Sequence, residues 1–198
     1  MGAHREGRAH RGRMSPAPPA LAWRFDKDLR EVPVDAAAFA REVDARVDDI
    51  ANAKSQPARL LAMLLDATPL LRIAGRMDEA RKTASAAIAL AELVEDASAE
   101  FAGQLSLAQI MQREARFDIS TPLFDQLIAR ARSMPAHGGW LHDVLFEAGR
   151  NLFEQRRYAQ AARLFRESQS LRRAAGREDL LEASAEAIRR CTEGERAG

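Results

Sequence analysis

The residues best placed for acid–base chemistry in this 198-residue chain are Asp143 and Glu147, one helical turn apart. Such a pair can serve as general acid and base when a nucleophile or a pocket stands beside it. The sequence offers neither, and the same spacing is common on exposed helix faces. His137 and His142 are five apart across a loop-to-helix boundary, without metal-ligand spacing, and read as surface histidines. Asp48 and Asp49 are adjacent, so on a helix they point in different directions and read as a solvated face. The single cysteine, Cys191, excludes an intramolecular disulfide and a cysteine-based metal cluster. There is no glycine-rich phosphate loop. The chain therefore reads as a non-enzyme without cofactor or metal.

Residues suited to recognition are easier to find. Phe146, Arg150 and Phe153 stand at i, i+4 and i+7 and share one helix face. Leu145, Ala148 and Leu152 form a different face of the same helix. Two phenylalanines on a second face need a cover, supplied either by neighbouring helices or by a bound segment. Aromatic residues and arginine are the types that dominate binding hot spots.

The elements that position these residues follow from periodicity. Leu141, Val144, Leu145, Ala148 and Leu152 recur at helical spacing, as do Tyr158, Ala161, Ala162, Phe165 and Leu171. Gln155-Arg156-Arg157 between them leaves room only for a tight reversal, which makes an αα-hairpin. Gly149 and Ala161 fall where its two helices must approach closely.

Gly149, Tyr158, Ala161 and Phe165 stand in the order and spacing of the tetratricopeptide repeat (TPR) signature, with Leu145 and Leu152 at its other large core positions. Ser168 replaces the usual late alanine, and the customary closing proline is missing after Leu171. Gly75-Arg76-Met77-Asp78-Glu79-Ala80 resembles a TPR turn, and Arg116-Phe117-Asp118 supplies another. Met77, Phe117 and Tyr158 are 40 and 41 residues apart, longer than the usual TPR period of about 34. The chain thus resembles the longer-repeat TPR type found in kinesin light chains and many bacterial regulators. The resemblance implies an all-α, right-handed αα-hairpin solenoid of about three helical pairs, with capping helices at both ends.

The rest of the chain fits this plan. Residues 1–33 carry Arg5, Arg8, Arg11 and Arg13 against Glu6, then a proline cluster, and read as a disordered basic extension. Trp23 and Phe25 are expected to dock its end on the first helices. Residues 34–192 form the repeat domain and 193–198 a disordered tail. Asp35 is a candidate N-cap for a helix to about Ala53, Pro57 a first-turn proline, and Pro69 a kink. Thr121-Pro122 reads as a delayed helix start, Pro135–Gly139 as a loop, and the segment from about Glu178 as a capping helix. With few β-branched residues, essentially no sheet is expected.

Composition bounds the function. A net charge of +1 argues against a nucleic-acid-binding body, and no apolar run reaches the length of a membrane span. Only three of the 30 basic residues are lysines, which with the alanine excess suggests a GC-rich bacterial source. A cytoplasmic location is expected. The TPR resemblance implies a peptide- or protein-binding adaptor, in a regulatory or secretion-associated complex, with its concave groove lined by the first helix of each pair. The groove positions are Leu65, Arg72, Gln109, Arg113, Phe146, Arg150 and Phe153. The three arginines would meet an acidic residue or terminal carboxylate of the partner. The positions that clamp a C-terminal carboxylate in some TPR domains carry Leu65, Pro69, Leu105, Gln109 and Phe146, which do not suit that role. The alternative is a self-assembling module that forms a homo-oligomer without a peptide ligand.

Overall fold

The helices are joined by turns that share one backbone device. In five of them the last helical turn closes with a Schellman bond, the N–H of one residue reaching the carbonyl five positions back. These bonds are Arg76 to Leu71, Asp96 to Ala91, Arg116 to Met111, Arg157 to Leu152 and Arg177 to Arg172, all 2.9–3.0 Å. The residue before each donor lies in the left-handed region: Gly75, Glu95, Ala115, Arg156 and Gly176, with φ between 57° and 81°. Glycine takes this conformation freely, whereas Glu95, Ala115 and Arg156 hold it against the steric cost of a Cβ.

The computed structural model describes residues 19–53 and 56–197, the side chains of 135–137 excepted. The arginines of residues 1–13 and the Lys54-Ser55 junction lie outside the described residues. Eight α-helices follow one another among those described: α1 (Ala36–Ala51), α2 (Pro57–Ile73), α3 (Met77–Leu93), α4 (Ala97–Arg113), α5 (Phe117–Ser133), α6 (Leu141–Glu154), α7 (Tyr158–Ala174) and α8 (Leu181–Ala197). Each packs on the next, and the first helices of successive pairs also touch, α2 on α4 and α4 on α6. The result is a helical-repeat solenoid with α1 and α8 at its ends. Its core runs as overlapping clusters along the stack, centred on Phe39, on Phe101 with Phe124, and on Phe165.

Local signals account for most boundaries. The Asp35 carboxylate accepts the Ala38 N–H and starts α1, and Asp96 accepts from Ser98 and Ala99 at the start of α4. Pro57 opens α2, and Pro69 sits inside that helix without ending it. Close approach depends on small residues. Ala80, Ala84, Ala87, Ala91 and Ala161 are fully buried. A Cβ on Gly149 of α6 would lie 2.6 Å from Phe165 Cε1 of α7.

Three expectations are corrected. The α5 helix starts at Phe117 rather than at Thr121-Pro122, because Asn151 and Gln155 hold its first turns from α6. The Ser120 hydroxyl donates to Asn151 Oδ1 (2.6 Å), and Thr121 Oγ1 accepts from Asn151 Nδ2 (2.9 Å) and Gln155 Nε2 (3.1 Å). The α8 helix continues to Ala197, where residues 193–198 were expected as a tail; Gly194 lets its end pack against the Tyr158 ring, 2.7 Å from a virtual Cβ. Finally, the part of the 1–33 extension that is described is ordered. After a 3-10 turn at Pro19–Leu21, strands β1 (Trp23–Phe25) and β2 (Glu31–Pro33) form an antiparallel hairpin, pairing Trp23 with Pro33 and Phe25 with Glu31. Asp26 organises its loop, as its Oδ1 accepts the N–H groups of Asp28 (2.8 Å) and Arg30 (2.9 Å).

Two substitutions of opposite sign test this packing. Gly149→Ala should destabilise by about 1–3 kcal/mol, because the buried Phe165 ring must move. Ala115→Gly should stabilise by roughly 0.5–1 kcal/mol by relieving the left-handed strain, net of the extra freedom of the unfolded chain. Urea unfolding with an unchanged m-value would read both.

Candidate functional site

The helix faces that the sequence assigns to a groove come together as the spacing requires, and half of the groove is filled by the chain itself. The hairpin lies across the C-terminal ends of α2, α4 and α6. Its loop residue Leu29 is 1% exposed and packs with Phe146, Phe153 and Phe165. Leu29 also takes a positive φ of 59°, an outlier for a bulky side chain that the surrounding contacts hold in place. Phe25 reaches Phe146 at 6.2 Å between ring centroids and stacks under the Arg150 guanidinium at 5.2 Å. Its docking partner is therefore the third pair rather than the first helices, while Trp23 is 43% exposed.

Glu31 is the electrostatic centre. Its Oε1 and Oε2 accept from Arg72 Nη2 (2.9 Å) and Nη1 (2.7 Å), and Oε2 also accepts from Arg150 Nη2 (2.6 Å). Arg150, 3% exposed, further donates from Nε to the Leu29 carbonyl (2.8 Å) and from Nη1 to Glu147 (2.7 Å). Beside it Arg30 pairs with Glu154 at 2.5 Å, and Gln112 Nε2 donates to the same carboxylate at 2.8 Å. Burial by itself would raise the Glu31 carboxyl. The charges of Arg150 and Arg72 and their hydrogen bonds outweigh it and hold that carboxyl well below the usual carboxylate range. Glu147 goes the other way, pushed up by burial despite its Arg150 partner.

Of the sequence-derived groove residues, Arg72, Phe146, Arg150 and Phe153 are covered by residues 25–31, Phe146 also by Phe165 and Arg172 and Phe153 by Tyr158. Arg113 lines a closed gap beneath the hairpin, and its Nη1 is buried with no hydrogen-bond partner. Leu65 is half-buried on the open side, and Gln109, which also lines the closed gap and hydrogen-bonds Glu147, is half-buried between the two. With Pro69, Ala102, Leu105 and Trp140 they line a surface cavity of about 500 Å³ along α2 and α4. The candidate acid–base pair is not on an exposed face. Asp143 binds His142 (2.9 Å) and Arg172 (3.3 Å), Glu147 binds Arg150, and His142 is buried rather than on the surface.

Sequence reasoning missed Glu31, Leu29 and Asp26, whose contacts to the rest of the chain span 41–164 residues. The available signal was short: Trp23 and Phe25 alternate with Arg24, an aspartate turn follows, and one acid stands opposite groove arginines in need of one.

No family model and no curated protein matches the chain. Among solved structures it is similar to a Podosopora anserina putative kinesin light chain with nearly identical TPR-like repeats, at 16% identity and a TM-score of 0.50 over 82% of this chain and 78% of that one. The chain has the TPR-like fold. No described helix is long and apolar enough to cross a membrane.

Breaking the hairpin lock should be costly. Glu31→Gln leaves the buried Arg72 guanidinium without a carboxylate, leaves Arg150 with Glu147 alone, and should destabilise by about 3–5 kcal/mol in chemical denaturation at neutral pH. Because the folded Glu31 carboxyl is depressed, its contribution is complete above the ordinary value of 4.5 and is lost as pH falls below it. The stability gap between wild type and Glu31→Gln should therefore be constant from pH 7 to 5 and shrink steadily below that.

Proposed function

We propose that this TPR-like chain is a protein-interaction module, a bacterial cytoplasmic adaptor that receives a segment of a partner protein in the open half of its groove. The observation that carries the reading is the cavity between α2 and α4, with Leu65, Pro69, Ala102, Leu105 and Trp140 in its walls. Apolar side chains on a concave helical surface gain by being covered, and here Leu65, Pro69, Ala102 and Trp140 are only half-buried above the buried Leu105. Gln109 stands in the same wall, its side chain bonded to Glu147 at the border with the closed gap. The acidic ligand expected for the groove arginines has a counterpart within the chain, since Glu31 holds that position for Arg72 and Arg150. The recognition surface is thereby narrowed to the α2–α4 side. The acid–base candidates have structural partners that favour a binding role over catalysis: Asp143 ties α6 to Arg172 of α7 and contacts His142, and Glu147 pairs with Arg150 on its own helix.

Ser106 lines the cavity and is half-buried, so a large side chain there fills the space without entering the core. A protein retained by the wild-type chain and by the surface variant Arg189→Ala should be lost with Ser106→Trp, at unchanged helicity and melting temperature. Retention by Ser106→Trp would place binding on another face.

A further inference from the structure

Resting on the groove reading above, the geometry points to a basic partner segment: the open half of the groove takes a lysine or arginine flanked by apolar residues. The sequence alone suggests the opposite, an acidic ligand for three arginines. The structure separates the groove into two electrostatic halves. In the half under the hairpin Arg72 and Arg150 face Glu31, Arg150 also faces Glu147, and Arg30 faces Glu154. Arg113 belongs to the closed gap on that side and does not line the open cavity, and Gln109, which lines both, is the border between them.

The open cavity has no basic residue in its lining and two acids, Asp66 of α2 and Asp96 at the head of α4. Asp66 is exposed and makes no ion pair among the described residues. Asp96 uses Oδ1 to accept the Ser98 and Ala99 N–H groups, so the α4 N-terminus already has its anion and offers little to a second. The other Asp96 oxygen accepts no hydrogen bond among the described residues. Trp140, half-buried against Phe101 with ring centroids 6.0 Å apart, lines the same cavity. An indole face attracts a cation more strongly than any other side-chain ring. Leu65, Pro69 and Leu105 offer apolar wall to the long aliphatic stem that precedes a lysine or arginine charge. An aliphatic stem ending in a cation satisfies all three features together. A carboxylate would meet two aspartates and an aromatic quadrupole of the wrong sign.

The test is selection from a random dodecapeptide phage library on the full chain, followed by titration of the synthesised winners. Expected winners carry lysine or arginine beside apolar residues. Their affinity should fall about tenfold on Asp66→Lys, fall with rising salt, and vanish on Ser106→Trp. Circular dichroism should show both variants folded. Winners that need the cavity but are acidic or neutral and indifferent to Asp66→Lys would overturn this inference and leave the groove reading standing. An absence of winners, or winners indifferent to Ser106→Trp, would overturn both. Concentration-dependent self-association abolished by Asp66→Lys would make the occupant a second copy of the chain and overturn the assignment to a separate partner.

Discussion

One carboxylate ties this solenoid across its repeats. Glu31 sits between arginines of the first and third helical pairs, Arg72 and Arg150, both buried. Three charges taken out of water are costly unless each finds partners with good geometry. Here the bidentate Arg72 pair, the Arg150 pair and the bond from Arg150 to the Leu29 carbonyl supply them. In a repeat protein each unit mainly touches its neighbours. A contact that spans from the first pair to the third therefore constrains the curvature of the stack as no nearest-neighbour interface can. The hairpin can do this only because Asp26 fixes its loop and Phe25 and Leu29 fill the apolar seat around Phe146.

The solenoid beneath the hairpin is built from two recurring solutions. Schellman turns reverse the chain with one residue in the left-handed region, and alanine or glycine at the helix contacts lets backbones approach. Buried polar groups then take up what small residues leave open. The Ser120 hydroxyl binds Asn151 where an alanine would otherwise stand, and the Ser168 hydroxyl donates to the His142 carbonyl at 2.6 Å. Both hydroxyls find an acceptor on the neighbouring helix, so register as well as distance is specified.

These two layers give the groove its chemistry. Where the hairpin lies, Arg30, Arg72 and Arg150 pair with Glu154, Glu31 and Glu147 within the chain, and Arg113 Nη1 is left without a hydrogen-bond partner. Where the hairpin stops, Leu65, Pro69 and Ala102 meet solvent beside Asp66 and Trp140. The TPR-like fold is the scaffold that presents this surface.

The sequence by itself determined what local rules govern. Helical periodicity located the pairs, Asp35 and Pro57 marked helix starts, and the spacing of Met77, Phe117 and Tyr158 gave the repeat length and through it the fold. The groove face was legible for the same reason, since i, i+4 and i+7 share a side whatever surrounds them. Only the tertiary structure decided which groove residues are free. Phe146 and Arg150 read the same from sequence whether a partner or the chain covers them. The cover comes from residues 119–121 positions away, through one carboxylate and one leucine with no periodic signature. The start of α5 was hidden likewise, because Thr121-Pro122 carries the local mark of a cap while Asn151, on another helix, holds the preceding turn. Local propensity sets an element's type, but long-range partners set its limits and its exposure, and those partners are neighbours only once the chain has folded.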